Sequence, residues 1–238
     1  MIDNPIQYFH DLDFRWGDVQ ALKYDPSNPA FTQPFLYRLW DRTRLSGRSK
    51  LGSLPALFCG MTNLSADAIC SYLSQRPICV VGEWRKHTFL TAPEPEMVDQ
   101  PYFHELGFCL PATITTTAST PDNPQNSCMA GYAMFRDAWG TPTQTVCAYL
   151  GLAWLFHTFQ LAAIHGQRYT DNIHTARFMA KFGFKDCGTA PYMLLKEQGG
   201  PLVPMTLSVL LRSEFIALTR EVLNNAHEES TDGRDAPA

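Results

Sequence analysis

The sequence predicts an α/β fold in which helices pack on a mixed β-sheet. Short apolar runs that are typical of strands recur through the middle of the chain, and helical patterns are inserted between such runs late in the chain. Runs of strands followed by inserted helices are typical of layered α/β domains. Counting the apolar runs gives a sheet of about seven strands.

Each element is predicted from its own apolar pattern. Residues 1–30 lack a clear period and predict an irregular, partly ordered arm, while the polar end, Glu228–Ala238, predicts a disordered tail. The predicted helices are Gln33–Leu45, Ala66–Ser74, Thr143–Phe159, Ile173–Phe182 and Arg212–Ala226. The predicted strands are Leu54–Met61, Ile78–Trp84, Leu106–Thr115, Cys128–Phe135, Leu161–Arg168, Thr189–Lys196 and Met205–Leu211.

These elements divide the chain into three predicted parts. Residues 1–50 form an N-terminal extension that is helical or irregular, residues 51–212 form the α/β domain, and residues 213–238 form a C-terminal helix and tail. A chain of 238 residues with 45% apolar residues is long enough to bury a sizeable core.

Composition excludes several classes of function. The net charge of −4 argues against a general nucleic-acid-binding protein, which normally carries a basic face. The apolar stretches are too short to span a membrane, and the first residues do not resemble a signal peptide. We therefore expect a cytoplasmic protein without nucleic-acid or membrane partners.

Several features predict packing rather than chemistry. The helix predicted over Thr143–Phe159 is apolar almost all round and is expected to be buried. The chain has 7 cysteines, an odd count without any Cys-x-x-Cys spacing, and their apolar contexts predict reduced thiols in the core. The histidines show no metal-ligand spacing, so no metal site is predicted.

The most specific pattern runs from Asn172 to Phe184. The asparagine follows a strand-like run, a small residue, Thr175, lies three positions later, and Lys181-Phe182-Gly183-Phe184 ends the segment. Upstream, another strand ends before Trp139-Gly140-Thr141-Pro142 and a helix. This order of elements resembles the acetyl-CoA-binding half of the GNAT superfamily of N-acyltransferases, and the resemblance is closest over residues 128–211.

The resemblance implies a fold, a ligand and a site. The fold is a mixed, twisted sheet with helices on both faces, and the ligand is acetyl-CoA as a co-substrate. In this family a loop and a helix N-terminus hold the pyrophosphate of CoA, an asparagine amide binds the pantetheine arm, and a splayed strand end offers backbone groups. The residues implied are Met134, Phe135, Gly140, Thr141, Pro142, Thr143, Gln144, Thr145, Asn172 and Thr175.

The sequence departs from the family pattern at four points. Pro142 stands where the family has a second glycine, and a proline lacks an N–H to donate. The basic residue usual in this loop is absent. Met129 replaces a glutamate found in many relatives, and Met179 replaces a tyrosine that acts as a general acid in many others.

Acyl transfer to an amine requires a base for the amine and an acid for the leaving thiolate. We favour Glu105 and Tyr169 for these roles. For each of them, an ordinary surface charge or a satisfied polar group is the more common explanation. The other candidates are Glu83, His87, His104 and His165.

The favoured function is transfer of an acetyl group from acetyl-CoA to a primary amine on a small molecule or peptide. The alternative is a catalytically degenerate GNAT-like domain with a binding or structural role, and a thiol hydrolase is a third reading. The sequence leaves the acceptor open, and it leaves open whether the protein forms a homodimer.

Overall fold

The computed structural model describes residues 2–28, 30–31, 36, 67, 71, 74–90, 97–117, 120, 122–195 and 201–232. In these ranges the helices are α1 Pro5–Asp11, α2 Pro142–Thr158, α3 Ile173–Ala180 and α4 Arg212–Asp232. The strands are β1 Arg15–Trp16, β2 Val19–Lys23, β3 Cys79–Leu90, β4 Met97–Thr115, β5 Asn126–Met134, β6 Leu161–Tyr169, β7 Lys185–Leu195 and β8 Leu202–Leu211.

The strands form one 8-stranded sheet in the order β1-β2-β3-β4-β5-β6-β8-β7. The pair β5–β6 is parallel, and the other neighbouring pairs are antiparallel. Helix α2 makes the crossover between β5 and β6, as a parallel pair requires. The predicted α/β fold with a mixed sheet is therefore confirmed.

Two apolar clusters cover the two faces of the sheet. The first joins α1, α2, α3 and α4 to one face, through residues such as Phe9 of α1, Leu150 of α2, Phe182 after α3 and Phe215 of α4. The second lies on the opposite face and contains Phe31, Val80, Phe108 and Phe135, with Leu36 packed against it.

Helix α2 is the centre of the first cluster. Thr141 caps its first turn and Pro142 follows as the first helical residue, which is a common start for a helix. Every residue from Cys147 to Phe156 is buried, as the all-round apolar sequence predicts. This helix holds its N-terminus rigidly at the carboxyl end of β5.

The prediction of an irregular arm over residues 1–30 is wrong. Asn4 caps α1, and β2 pairs with β3 as an integral strand of the sheet. Ile6 and Phe9 are almost completely buried. These elements are too short to show a period, so only their tertiary packing reveals them.

Other boundaries also differ from the predictions. Strands β3, β4 and β7 are longer than predicted, and α4 continues to Asp232, so residues 228–232 are helical rather than disordered. Cys187 is exposed, contrary to the core position predicted for it, whereas Cys79, Cys109, Cys128 and Cys147 are buried free thiols.

Part of the N-terminal prediction lies outside the described residues. This applies to the helix Gln33–Leu45 apart from Leu36, to the strand Leu54–Met61, and to the domain boundary at residue 50. Within the predicted helix Ala66–Ser74, the described residues Asp67, Ser71 and Ser74 are helical.

Candidate functional site

The two parallel strands separate at their carboxyl ends. Residues 126–129 of β5 pair with residues 161–165 of β6, but the ladder between these strands stops there. Beyond that point β5 stays paired with β4, and β6 stays paired with β8. A gap therefore opens between the ends of β5 and β6, and backbone groups that face it have no partner on the opposite strand.

The direction of the backbone groups in β5 follows from its pairing with β4. The Phe135 N–H donates to Leu106 O at 2.8 Å and so points towards β4. Because N–H and C=O groups alternate in direction along a strand, those of Ala130, Tyr132 and Met134 point towards the gap. The side chains of Met134 and Phe135 are buried, so only their backbone can meet a ligand.

The side chain of Trp139 covers the carbonyl oxygen of Met134. Its indole Nε1 donates to Met134 O at 3.0 Å, while 40% of the side chain stays exposed. The Met134 carbonyl is thereby satisfied before any ligand arrives. The Ala130 N–H lies in the last rung of the β5–β6 ladder, at His165, so the C=O of Ala130 and the N–H and C=O of Tyr132 remain as the backbone edge that a ligand would meet in the gap.

The loop after β5 leads directly into α2. Gly140 has φ +74 and open space where a side chain would begin. The Thr141 hydroxyl accepts a hydrogen bond from Gln144 N at 3.2 Å and donates to Ala138 O at 2.8 Å. The Gln144 side-chain oxygen accepts from Gly140 N at 3.0 Å. Thr141 and Gln144 together form a variant of the capping box.

This capping limits the donors that the loop can offer to an anion. The amides of Gly140 and Gln144 are paired within the loop, and Pro142 has no N–H. In this loop, all of which is described, the Thr143 N–H at the second helical position makes no hydrogen bond and remains a free donor. Thr145 follows near the start of α2 and is half-buried.

Asn172 is the N-cap residue of the helix that follows β6, as Thr141 is for the helix that follows β5. Its side-chain oxygen accepts a hydrogen bond from Thr175 N at 3.1 Å and caps α3. Its side-chain NH2 makes no hydrogen bond to any described residue. The half-buried Asn172 thus combines a structural bond with free donors, and it lies at the carboxyl end of the strand that borders the gap.

The predicted catalytic residues lie at this same end of the sheet. Glu105 lies two residues after Phe103 on β4, on the face opposite α2, and is half-buried. Tyr169 is the last residue of β6 and packs with Ala190 and Met205 on that same face. Because β4 runs antiparallel to β5, both side chains lie towards the splayed ends, on opposite sides of the gap.

Burial affects the chemistry of Tyr169. Its side chain is 6% exposed, and desolvation, with a smaller contribution from the negative charge of Asp171, raises its pKa. A tyrosine hydroxyl is already protonated near neutral pH and the raised pKa favours that form further, so Tyr169 is available as a proton donor and not as a base.

Sequence reasoning missed a contact between a histidine and a carboxylate beside the loop. His104 Nε2 lies 3.0 Å from Asp137 Oδ2, which joins β4 to the short 3-10 turn Arg136–Ala138 after β5. Asp137 puts a negative charge three residues before Gly140, close to the proposed anion site. Its position three residues after the end of β5 is the signal that the sequence offered.

Several side chains near the gap have packing roles, namely those of Tyr132, Met179 and the buried cysteines. Tyr132 stacks on Phe178 and donates to Met134 Sδ at 3.1 Å, and desolvation raises its pKa well above the usual value. Met179 lies against β6 at Gly166. Burial raises the pKa of both Cys128 and Cys147 to about 12, so these thiols are not nucleophiles at neutral pH.

Other features of the described surface lie away from this gap. A shallow depression of about 560 Å³ lies at the opposite end of β6, beside Asn4, Asp122 and Arg212. Among the residues that the structure describes, no cluster of three or more potential metal ligands occurs. No helix in the described part of the chain is both long and apolar enough to cross a bilayer.

Comparison with solved structures bears on the fold. No family model matches the sequence, and no curated protein matches it either. The spermidine N-acetyltransferase of Vibrio cholerae, solved with CoA and spermine, is similar in structure with a TM-score of 0.54 at 11% identity, over 84% of this chain and 99% of that one. The ribosomal-protein-S5-alanine acetyltransferase of Vibrio fischeri gives a TM-score of 0.52 at 15% identity, over 84% and 97%.

At these identities the likeness concerns the fold. The chain has the GNAT-like fold of these acetyltransferases, as the resemblance over residues 128–211 predicted. The splayed parallel strands, with a helix N-terminus after each, form the candidate site within that fold.

Proposed function

We propose that this protein is an acetyl-CoA-dependent N-acyltransferase that acetylates a primary amine by direct transfer. One observation carries the proposal. The N-termini of α2 and α3 and the free edge of β5 meet at the carboxyl ends of two separated parallel strands. In open α/β sheets, ligands bind in such crevices. A fold neighbour of 11% identity, solved with CoA and spermine, supports the same ligand class.

The coenzyme is assigned by the chemistry of the donors. The N-terminus of α2, including the free N–H of Thr143, suits the pyrophosphate of CoA because unpaired amides and the helix dipole favour an anion. The free side-chain NH2 of Asn172 suits a pantetheine carbonyl. The N–H groups on the free edge of β5 are suited to polarise the thioester carbonyl.

The reaction is a displacement at the thioester carbonyl. The nitrogen of the neutral amine attacks the carbonyl carbon, a C–N bond forms and the C–S bond breaks. Glu105 takes the amine proton, and Tyr169, whose hydroxyl is protonated at neutral pH, gives a proton to the leaving thiolate. Positioning of the two substrates in the gap supplies most of the acceleration.

The acceptor is a small-molecule or peptide amine. The names of the fold neighbours cover both kinds, a polyamine and the alanine of a ribosomal protein. The test is incubation of the protein with acetyl-CoA and a panel of diamines, polyamines, amino acids and peptides with a free α-amine. Acetylated product and released CoA, both quantified by mass spectrometry, support the proposal, and CoA release without an acetylated amine contradicts it.

A second candidate is a GNAT-like domain without catalysis. The observation that favours it is the internal pairing of the Gly140 and Gln144 amides, together with the negative charge of Asp137 beside them. These features oppose binding of a diphosphate. A protein that gives neither acetylated product nor CoA binding fits this candidate.

A further inference from the structure

Gln144 places an oxygen where the proposed coenzyme site needs an open donor. Its Oε1 accepts the Gly140 N–H at 3.0 Å, at the N-terminal end of α2. Gly140 lies one residue before the N-cap Thr141, and amides of a glycine-containing loop that leads into a helix can hold phosphate oxygens. The neutral amide oxygen thus acts as an internal substitute for a phosphate oxygen.

The bond is a consequence of local sequence. In the usual capping box the side chain at the third helical position bonds the N-cap amide. Here the Thr141 amide already donates to Ala138 O at 3.3 Å, and Gln144 reaches one residue further back, to Gly140. The left-handed Gly140, with φ +74, has no side chain to obstruct this contact.

We infer that Gln144 is a latch that sets the affinity of the proposed coenzyme site, by competing with the diphosphate of CoA for the Gly140 N–H. This inference rests on the proposed function. The latch has a closed state, in which Gln144 caps the loop, and an open state, in which the side chain turns to solvent. A ligand that binds only the open state must displace this bond. Its apparent affinity is therefore the affinity for the open state multiplied by the fraction of molecules that are open.

The latch predicts that stability and affinity change in opposite directions at position 144. Gln144→Ala removes the cap and exposes the Gly140 N–H, so the melting temperature falls while CoA binds roughly two- to tenfold more tightly, the range set by one neutral hydrogen bond. Gln144→Glu keeps the acceptor and adds a negative charge at a helix N-terminus. It preserves or raises the melting temperature and weakens CoA binding.

The experiment combines two readouts on the full chain. Calorimetric titration with CoA gives the affinity of wild type, Gln144→Ala and Gln144→Glu. Amide hydrogen exchange followed by NMR gives the protection of the Gly140 N–H without any ligand, and it should fall only in Gln144→Ala. Gln7→Ala is the matched control, because Gln7 makes a side-chain hydrogen bond to Asp11 on α1, away from the site, and its loss leaves CoA affinity unchanged.

The outcomes separate the latch from the proposed function. Tighter CoA binding by Gln144→Ala together with weaker binding by Gln144→Glu supports the latch. Equal or weaker binding by Gln144→Ala, with wild-type binding intact, overturns the latch and leaves the proposed function standing. No CoA binding by any variant, with Gly140 unprotected in Gln144→Ala, overturns the proposed function and the latch with it.

Discussion

The side-chain oxygen of Asn172 lies 3.1 Å from the backbone nitrogen of Thr175, and this bond caps the first turn of α3. The NH2 group of the same side chain is not bonded to any described residue. The oxygen of this side chain therefore has a structural role, while its NH2 group is available to a ligand. Substitutions can separate the two roles.

The first prediction separates the capping role of Asn172 from its proposed role in ligand binding. Asn172→Ala lowers the free energy of unfolding by about 1 kcal/mol because the cap is lost. Asn172→Ser keeps an oxygen for the cap but lacks the NH2 donors, so it retains most of the stability and weakens CoA binding. Denaturant unfolding and calorimetric titration measure the two effects. Asn4→Ala, which removes the cap of α1, is the control that loses stability without losing CoA affinity.

The second prediction concerns the first turn of α2. Pro142 lacks an N–H at the first helical position. Pro142→Gly adds a donor to the loop, so we expect tighter CoA binding, with a loss of stability of up to about 1 kcal/mol from the added entropy of the unfolded chain. Weaker binding in this variant means that the proline pre-organises the loop for CoA, which counts against the second, non-catalytic candidate.

The third prediction tests the charge beside the loop. Asp137 pairs with His104 and repels a diphosphate bound at the N-terminus of α2. Asp137→Asn should tighten CoA binding, and the gain should shrink as salt rises from 20 mM to 500 mM because screening weakens charge repulsion, with a Debye length of about 10 Å at 0.1 M. A gain that is independent of salt is inconsistent with this electrostatic origin.

The fourth prediction concerns the thiols. Burial raises the pKa of Cys128 and Cys147 to about 12, whereas Cys187 is exposed. At pH 8 an alkylating reagent should label Cys187 rapidly and label Cys128 and Cys147 only after unfolding. Peptide mapping by mass spectrometry follows each site separately, and rapid labelling of Cys147 in the folded protein contradicts its buried position.

The fifth prediction concerns acid stability. The rings of His10 and His157 stack with their centroids 3.9 Å apart, between α1 and α2. Burial, and then the charges of His10 and Arg212, lower the pKa of His157, while Asp11 acts in the opposite direction. The unfolded chain therefore binds a proton more readily near pH 6.5 than the folded one, and stability falls as pH drops through this value and below it.

Replacement of the histidine tests this origin. His157→Gln removes the titrating group, so the loss of stability between pH 7 and pH 5.5 should become smaller than in wild type. Urea unfolding at the two pH values measures the change in the free energy of unfolding for each protein. An unchanged pH dependence in the variant assigns the effect to other groups.

The elements of the candidate site were predictable because their signals are local. The long apolar pattern of α2 and the Asn172-to-Thr175 spacing each lie within one segment of chain, and the structure places α2, α3 and the Asn172 cap where the sequence predicts them. The short α1, β1 and β2 were missed because their stability comes from contacts with distant elements, such as the pairing of β2 with β3.

The relationships between side chains were not predictable for a different reason. The His104–Asp137 pair joins residues far apart in the chain, and the Gln144–Gly140 bond depends on one rotamer. The face that Glu105 occupies depends on a register shift between Val81 and Gly82, since a shift of one residue moves a side chain to the other face. A sequence pattern carries none of this information.

The most direct test of the central claim is titration of wild-type protein with acetyl-CoA. The account predicts saturable binding with one site per chain, and a melting temperature that rises with the logarithm of ligand concentration above the dissociation constant. Dephospho-CoA, which lacks one phosphate group, and free adenosine, which lacks the diphosphate and the pantetheine arm, should bind more weakly. The absence of both heat and a melting shift at millimolar acetyl-CoA would contradict the account.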